Sequence, residues 1–346
     1  FSVYFAATIL IGVGVVYLKS PESLPLTLTS LPFFARPAVN LTVVDEHGLT
    51  PLLIKVLEKD MDLIKSYIDL GADLEAEDNG GNTALMIAVM QKTHDIAALL
   101  LENGANVNFQ NSKNLMTPIT VSTFGNDAEM AEILLTKSPA PGPNVNLVDL
   151  EGATCLYWAA RHGMLATVAN LVAHGANVNA KNTKGISVLM AALKSGHEEV
   201  ARWLLDHGAD PEGYTADGST ALYFASGMGL VDIVKDLVDQ GLDPDEVTVM
   251  GFNSLYIAAL NGRANVVKYF LDDVSMDVDF EEDLDGNTPL IIAAMNGHVE
   301  TVVALLDRGA DADFRNLQTR TPLWYAKRYN HDEVHQTLLD RGATSY

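Results

Sequence analysis

This sequence of 346 residues has little cysteine, little base and no recognisable catalytic signature. Each scarcity excludes something. A lone Cys155 forms no intramolecular disulfide and no paired-cysteine metal site; as a small apolar residue it belongs in a core. Only 22 Lys and Arg stand against 45 Asp and Glu, a net charge of −23. Such a chain repels phosphate backbones, which argues against nucleic acid as a partner, and is repelled likewise by anionic lipid heads. There is no Gly-x-Ser-x-Gly elbow, no phosphate-cradling glycine loop and no His-Glu-x-x-His. We therefore expect no catalytic residue, cofactor or small-molecule substrate. His331 and His335 share a helix face, but Glu333 is in the wrong slot for a zinc protease, and we expect no metal. A hydrophobic fraction of 48% argues against wholesale disorder.

What is present is a returning phrase: Gly, then Thr or Ser two residues on, an apolar tetrad, and a small residue. Its Thr/Ser/Asn position falls at Thr50, Thr83, Thr117, Thr154, Ser187, Thr220, Asn253, Thr288 and Thr321, giving gaps of 33, 34, 37, 33, 33, 33, 35 and 33 residues. A period of this size means one supersecondary unit stacked nine times. Within each unit, apolar residues at three- and four-residue spacing predict two short amphipathic helices, the second stopped by Gly. Neither helix can bury its face alone, so the faces close on neighbouring repeats. The expected fold is an all-α solenoid of about nine helix-turn-helix repeats with hairpin loops. The run "SPAPGP" from Ser138 extends one loop, and the gap of 35 residues before Thr288 predicts a longer hairpin.

"DEHGLTPLL" from Asp45, "DLDGNTPLI" from Asp283 and "SGHEEVARWLLDHGADPE" from Ser195 carry a close likeness to the ankyrin repeat family, which the chain resembles from about residue 40 to residue 346. The resemblance implies protein binding through a concave surface of hairpin tips and inner helices. One departure is systematic. The family's His after Thr-Pro-Leu is absent, and its slots hold Leu53, Met86, Thr120, Tyr157, Met190, Tyr223, Tyr256, Ile291 and Trp324. Packing is expected to replace the bonds of that imidazole to the hairpin. His94, His197, His298 and His331 match the family's helix-start His. Trp158, Phe224 and Tyr325 recur beside the substituted slots and read as inter-repeat core. In the last repeat, His335 and Thr337 give the outer helix a polar face, as a terminal repeat needs.

Phe1 to Leu18 is uncharged and followed at once by Lys19; as a helix it spans about 27 Å, most of a hydrocarbon core. Residues 1–19 read as a transmembrane anchor, 20–39, with Pro21, Pro25, Pro32 and Pro37, as an extended linker, and 40–346 as the repeat domain. The rival reading is a signal peptide, for which Gly12-Val13-Gly14 is a poor cleavage site. Lys19 and Arg36 are the only positive charges before Lys55. That favours a single-pass membrane protein with translocated repeats, facing a bacterial periplasm in preference to an organellar compartment. The bilayer is then met by residues 1–18 alone.

Two surfaces are candidates for a protein partner. Asp272, Asp273, Asp277, Asp279, Glu281, Glu282, Asp283 and Asp285 form a run without base, either a solvated rim or a dock for a basic surface. A calcium loop is a weaker option, since its Gly and closing Glu are missing. Val249, Met250 and Phe252 make the seventh hairpin apolar where most others are polar. With Met228, Leu260, Leu284, Arg328 and Tyr329 they have the composition of an interaction patch, against the alternative of a self-packed hairpin. Phe252 falls in a slot that the family leaves variable and exposed. The functional expectation is a membrane-anchored scaffold or accessory subunit of a membrane complex. The alternatives are an immunity protein occluding a secreted toxin, and a regulatory part of an enzyme whose catalytic region lies outside this chain.

Overall fold

The computed structural model describes residues 40–344; the expected anchor and the whole of the linker lie outside the described residues. Each repeat begins with the same local chemistry. The Thr, Ser or Asn of the repeated phrase sits in extended backbone and its side-chain oxygen accepts the N–H three residues on, at 2.9–3.4 Å in all nine copies. This satisfies a donor that the first helical turn leaves unpaired. Nine inner helices follow: α1 (Pro51–Glu58), α3 (Ala84–Met90), α5 (Pro118–Phe124), α7 (Cys155–Arg161), α9 (Val188–Lys194), α11 (Ala221–Met228), α13 (Ser254–Leu260), α15 (Pro289–Met295) and α17 (Pro322–Arg328). Each pairs with an outer helix: α2 (Met61–Asp69), α4 (His94–Glu102), α6 (Ala128–Lys137), α8 (Leu165–Ala173), α10 (Glu198–Asp206), α12 (Val231–Asp239), α14 (Ala264–Tyr269), α16 (Val299–Leu306) and α18 (Asp332–Asp340).

The core is a continuous seam between repeats. Two residues past the cap stands Leu, or Ile119, and none is more than 1% exposed; each such burial is worth roughly 1.5–3 kcal/mol. Cys155 lies in this seam, where burial pushes its thiol up to about 12. The outer helix of the last repeat buries only Val334 and Leu338, against four residues in α16, so its far side is polar. Among the described residues there are isolated β-bridges at hairpin bases but no named strand, and no helix is long and apolar enough to cross a membrane.

Repeats are coupled by side chains that reach backward. The imidazole of His197 covers Gly163, whose missing Cβ would lie 2.5 Å from Nδ1. His298 covers Gly262 and His331 covers Gly297 in the same way, and their Nε2 atoms bond the carbonyls of Leu260 and Met295 at 3.0 Å. His94 departs from this pattern. Thr93 takes its cap position, and His94, the first residue of α4, instead meets the carboxylate of Asp127 at 3.1 Å.

The two extra residues before Thr288 are absorbed separately. One enters the outer helix, where α14 runs into a π-helical turn (Phe270–Val274) that ends at Ser275 in left-handed backbone, φ 63°. The other lengthens the hairpin. The residue that organises it is therefore Glu282, not Asp283 as the pattern match places it. Glu282 is buried, 3% exposed, and accepts the N–H groups of Leu284, Asp285 and Asn287 and the Asn287 amide. A longer side chain spans a longer loop. Glu282 thus belongs to the fold and not to a solvated rim.

The substituted His slots are only partly a matter of packing. Trp158, one residue beyond its slot, donates Nε1–H to the hairpin carboxylate of Asp149 at 2.9 Å, and the Tyr325 hydroxyl accepts from Asn316 at 3.1 Å. In these two repeats the tether to the hairpin has moved one position along the helix.

Candidate functional site

Successive hairpins are tied tip to tip. In repeats seven and nine the backbone N–H four residues before the cap donates to the preceding hairpin, Val249 to the Asp217 carbonyl and Leu317 to that of Asp285, both at 2.9 Å; in the longer eighth hairpin the N–H at that position, Leu284, goes to Glu282. That position is Val249, Leu284 and Leu317 in the last three repeats, 73%, 57% and 71% exposed, with Met250 beside the first at 46%. These four apolar side chains stand on consecutive tips. Leu317 escaped the sequence reading, although, counted back from the cap, its place is that of Val249.

Phe252 is half-buried and stacks on Tyr256, ring centroids 4.7 Å apart and nearly parallel, so its slot is less open than the family pattern suggests. The other candidates lie at the far ends of inner helices, about 10 Å along a seven-residue helix from the tips. Met228 is half-buried with its methyl over Gly196, and Leu260 is half-buried. Arg328 is exposed, and so is Tyr329, which stacks parallel to Tyr325 at 6.3 Å. The eight candidates thus form two groups, one on the tips and one at the helix ends.

The acidic run divides as well. Asp272 is paired with Arg308, whose guanidinium holds the carboxyl below its ordinary value. Asp279 accepts the Asp311 N–H at 3.1 Å, and burial pushes its carboxyl up. Asp285 accepts from the Gln318 amide at 2.7 Å. Asp273, Asp277, Glu281 and Asp283 are exposed and, among the described residues, have no basic partner within ion-pair range. Among the described residues no group of His, Cys, Asp and Glu is arranged to hold a metal ion.

On the flank, where outer helices lead back to hairpins, amides form a ladder. Asn108, Asn146 and Asn179 each accept an N–H of the next repeat at 2.6–2.8 Å and donate to its glycine carbonyl. The Ser138 insertion leaves this intact, because Gly142 supplies the carbonyl there. Glu212 and Asp245 hold the equivalent positions in repeats six and seven, and among the described bonds neither reaches the next repeat. Asp279 and Asp313 resume the ladder as acceptors. At the lapse lies a cleft of 270 Å³ lined by Pro211, Glu212, Gly213, Tyr214, Asp243 and Glu246 among others. Gly213 stands at the register of Leu147 and Phe314, and the Lys181 Nζ lies 3.0 Å from where its Cβ would be.

Stacked helix pairs with ordered, partly apolar tips define a repeat solenoid of the protein-binding class. Ankyrin repeat models match residues 27–111, 106–182, 156–248, 190–282 and 255–345, and the chain belongs to the ankyrin repeat family. It is similar to the human ASB11 ankyrin repeat domain, at 25% identity and TM-score 0.56, over 67% of this chain and 100% of that one. It is also similar to the ankyrin repeat domain of Bcl-3, described as a unique member of the IkappaB protein family, at 26% identity and TM-score 0.53, over 62% and 95%. No curated protein matches the chain.

Proposed function

We propose that this is a membrane-anchored interaction scaffold, an accessory subunit that holds a protein partner on the tips of its last three repeats. The observation that carries the reading is the row Val249, Met250, Leu284 and Leu317, exposed on three consecutive hairpins, where earlier in the array Leu150 is an isolated exposed apolar residue at that position. Apolar side chains in such a row have no part in the core and mark a contact surface. The carboxylates of Glu281 and Asp283 on the same hairpins, with Asp273 and Asp277 further back along the chain, suit a basic rim on the partner, raising the rate of encounter more than the affinity. Residues 1–18 serve as the single-pass anchor, with the repeats on the translocated side.

The test is purification of the full chain from its membrane in mild detergent, with identification of a stoichiometric co-eluting protein. Met250→Asp with Leu284→Asp should release that partner, a loss of at least about 2 kcal/mol, with melting unchanged. Deletion of residues 1–19 should give a soluble array that still binds it. Retention of the partner by the double variant would sink the tip site, and carbonate-resistant membrane association of the truncation would sink the anchor.

A further inference from the structure

The inner-helix floor of the middle repeats carries charge of the other sign. α5, α7, α9 and α11 pack side by side in that order, so equivalent positions form rows. Seven residues past the cap stand Phe124, Arg161 and Lys194; four past it, Trp158 and Phe224. Phe124 meets Trp158 edge-on at 4.7 Å. The Arg161 guanidinium lies 5.2 Å from the Trp158 ring centre, and the Lys194 ammonium 5.3 Å from that of Phe224. Both cations are exposed. Among the described residues, ion pairs engage Lys55, Arg202, Arg308, Arg341, His47 and His94, but neither Arg161 nor Lys194. Asp149, bordering Trp158, is already held by the indole N–H. Beside them, burial and the Arg161 charge push His162 down.

What sets Arg161 and Lys194 apart is their placement, on adjacent inner helices with an aromatic ring against each. Arg161 also bonds Tyr157 through its side chain, and the exposed remainder of each cation can meet an anion. We propose that this row binds an acidic segment of a protein partner, two carboxylates meeting Arg161 and Lys194 while apolar neighbours lie against Phe124 and Phe224. The proposal rests on the protein-binding reading above but uses a different surface. Packed helices lie about 8–10 Å apart, which sets the spacing of the carboxylates: about three residues in an extended segment or about two turns of a helix. The net charge of the array excludes a phosphate backbone as the anion, and a protein segment is the occupant that can offer both carboxylates and apolar side chains.

The test uses the full chain in detergent at low salt and three labelled twelve-residue peptides. One has two Glu three residues apart flanked by Leu and Phe, one has the same Glu adjacent, and one has Lys for Glu. By fluorescence anisotropy, the spaced Glu peptide should bind at least about tenfold more tightly than either other. Arg161→Glu with Lys194→Glu should remove that preference, and Arg161→Gln with Lys194→Gln, which keep the side chains' bulk, should weaken it with melting unchanged. Met250→Asp should leave it intact, which separates this floor from the tip site. Equal binding of the three peptides, or unchanged binding by both double variants, would overturn the proposal. So would loss of the preference in Met250→Asp, or self-association of the chain that Arg161→Glu with Lys194→Glu abolishes, which would make a second copy the occupant.

Discussion

Repeats three to five and repeats six to nine use the same flank geometry with opposite chemistry. In the first region Asn108, Asn146 and Asn179 both donate and accept across each junction. In the second, Glu212, Asp245, Asp279 and Asp313 can only accept, and two of the four make no bond to the next repeat. The helices behind them are stacked alike in both regions, since the seam of buried Leu runs through all nine repeats. The flank therefore tunes an array that the seam already holds, and acid there is tolerated by the fold without being required by it.

The largest effect should separate an acid that the fold requires from its neighbours. Glu282→Ala leaves three backbone N–H groups and one amide without their acceptor, and should cost about 3–5 kcal/mol in denaturant unfolding. Asp283→Ala, one residue away and exposed, should stay within about 0.5 kcal/mol. Equal losses would show that burial of Glu282 does not matter.

A middling effect tests the ladder. Asn179→Ala removes two junction bonds and should cost about 1–2 kcal/mol, read as faster amide hydrogen exchange at Asp210. Glu212→Ala should change exchange at Asp243 little. If both behave alike, the lapse at the sixth junction is of no consequence.

The smallest effect is one of pH. Burial, Asp243 and Asp277 raise the carboxyl of Asp245 above the ordinary aspartate value of 3.8. The folded state thus binds that proton more tightly than the unfolded chain, so the carboxylate works against folding once pH exceeds 3.8. Asp245→Asn should raise the melting temperature slightly at pH 7, and the gain should disappear as pH falls below 3.8. A gain that persists in acid would have another origin.

Much of this fold could be read in advance because its signals are local. A Thr, Ser or Asn cap needs only its own backbone and the N–H three residues on, so all nine helix starts were visible from Thr50 to Thr321. Non-local compensation was not. Glu282 was hidden because Asp283 fits the hairpin phrase, and the one-residue shift makes sense only once Phe270–Val274 has absorbed the other insertion. Trp158 and Tyr325 read as core residues, and their second role depends on where a hairpin side chain ends. The tip row was half legible: Val249 and Met250 stood out as apolar, whereas Leu317 needed register, not composition. Phe252 looked open because the family leaves its slot variable, although Tyr256, the ring it stacks on, stands four residues on in the same phrase.

The pairing of a bare glycine with the next repeat's imidazole makes this array less interchangeable than its regular period suggests. Gly163 is complementary to His197, so excising the fifth repeat at constant period would bring that glycine against Leu230, which occupies the same slot one repeat later. Excising the eighth would carry Gly262 to His331 and recreate the lost fit, because His298 and Gly297 leave together. Repeats of this chain are thus words with a fixed successor, and only some deletions leave a grammatical sentence.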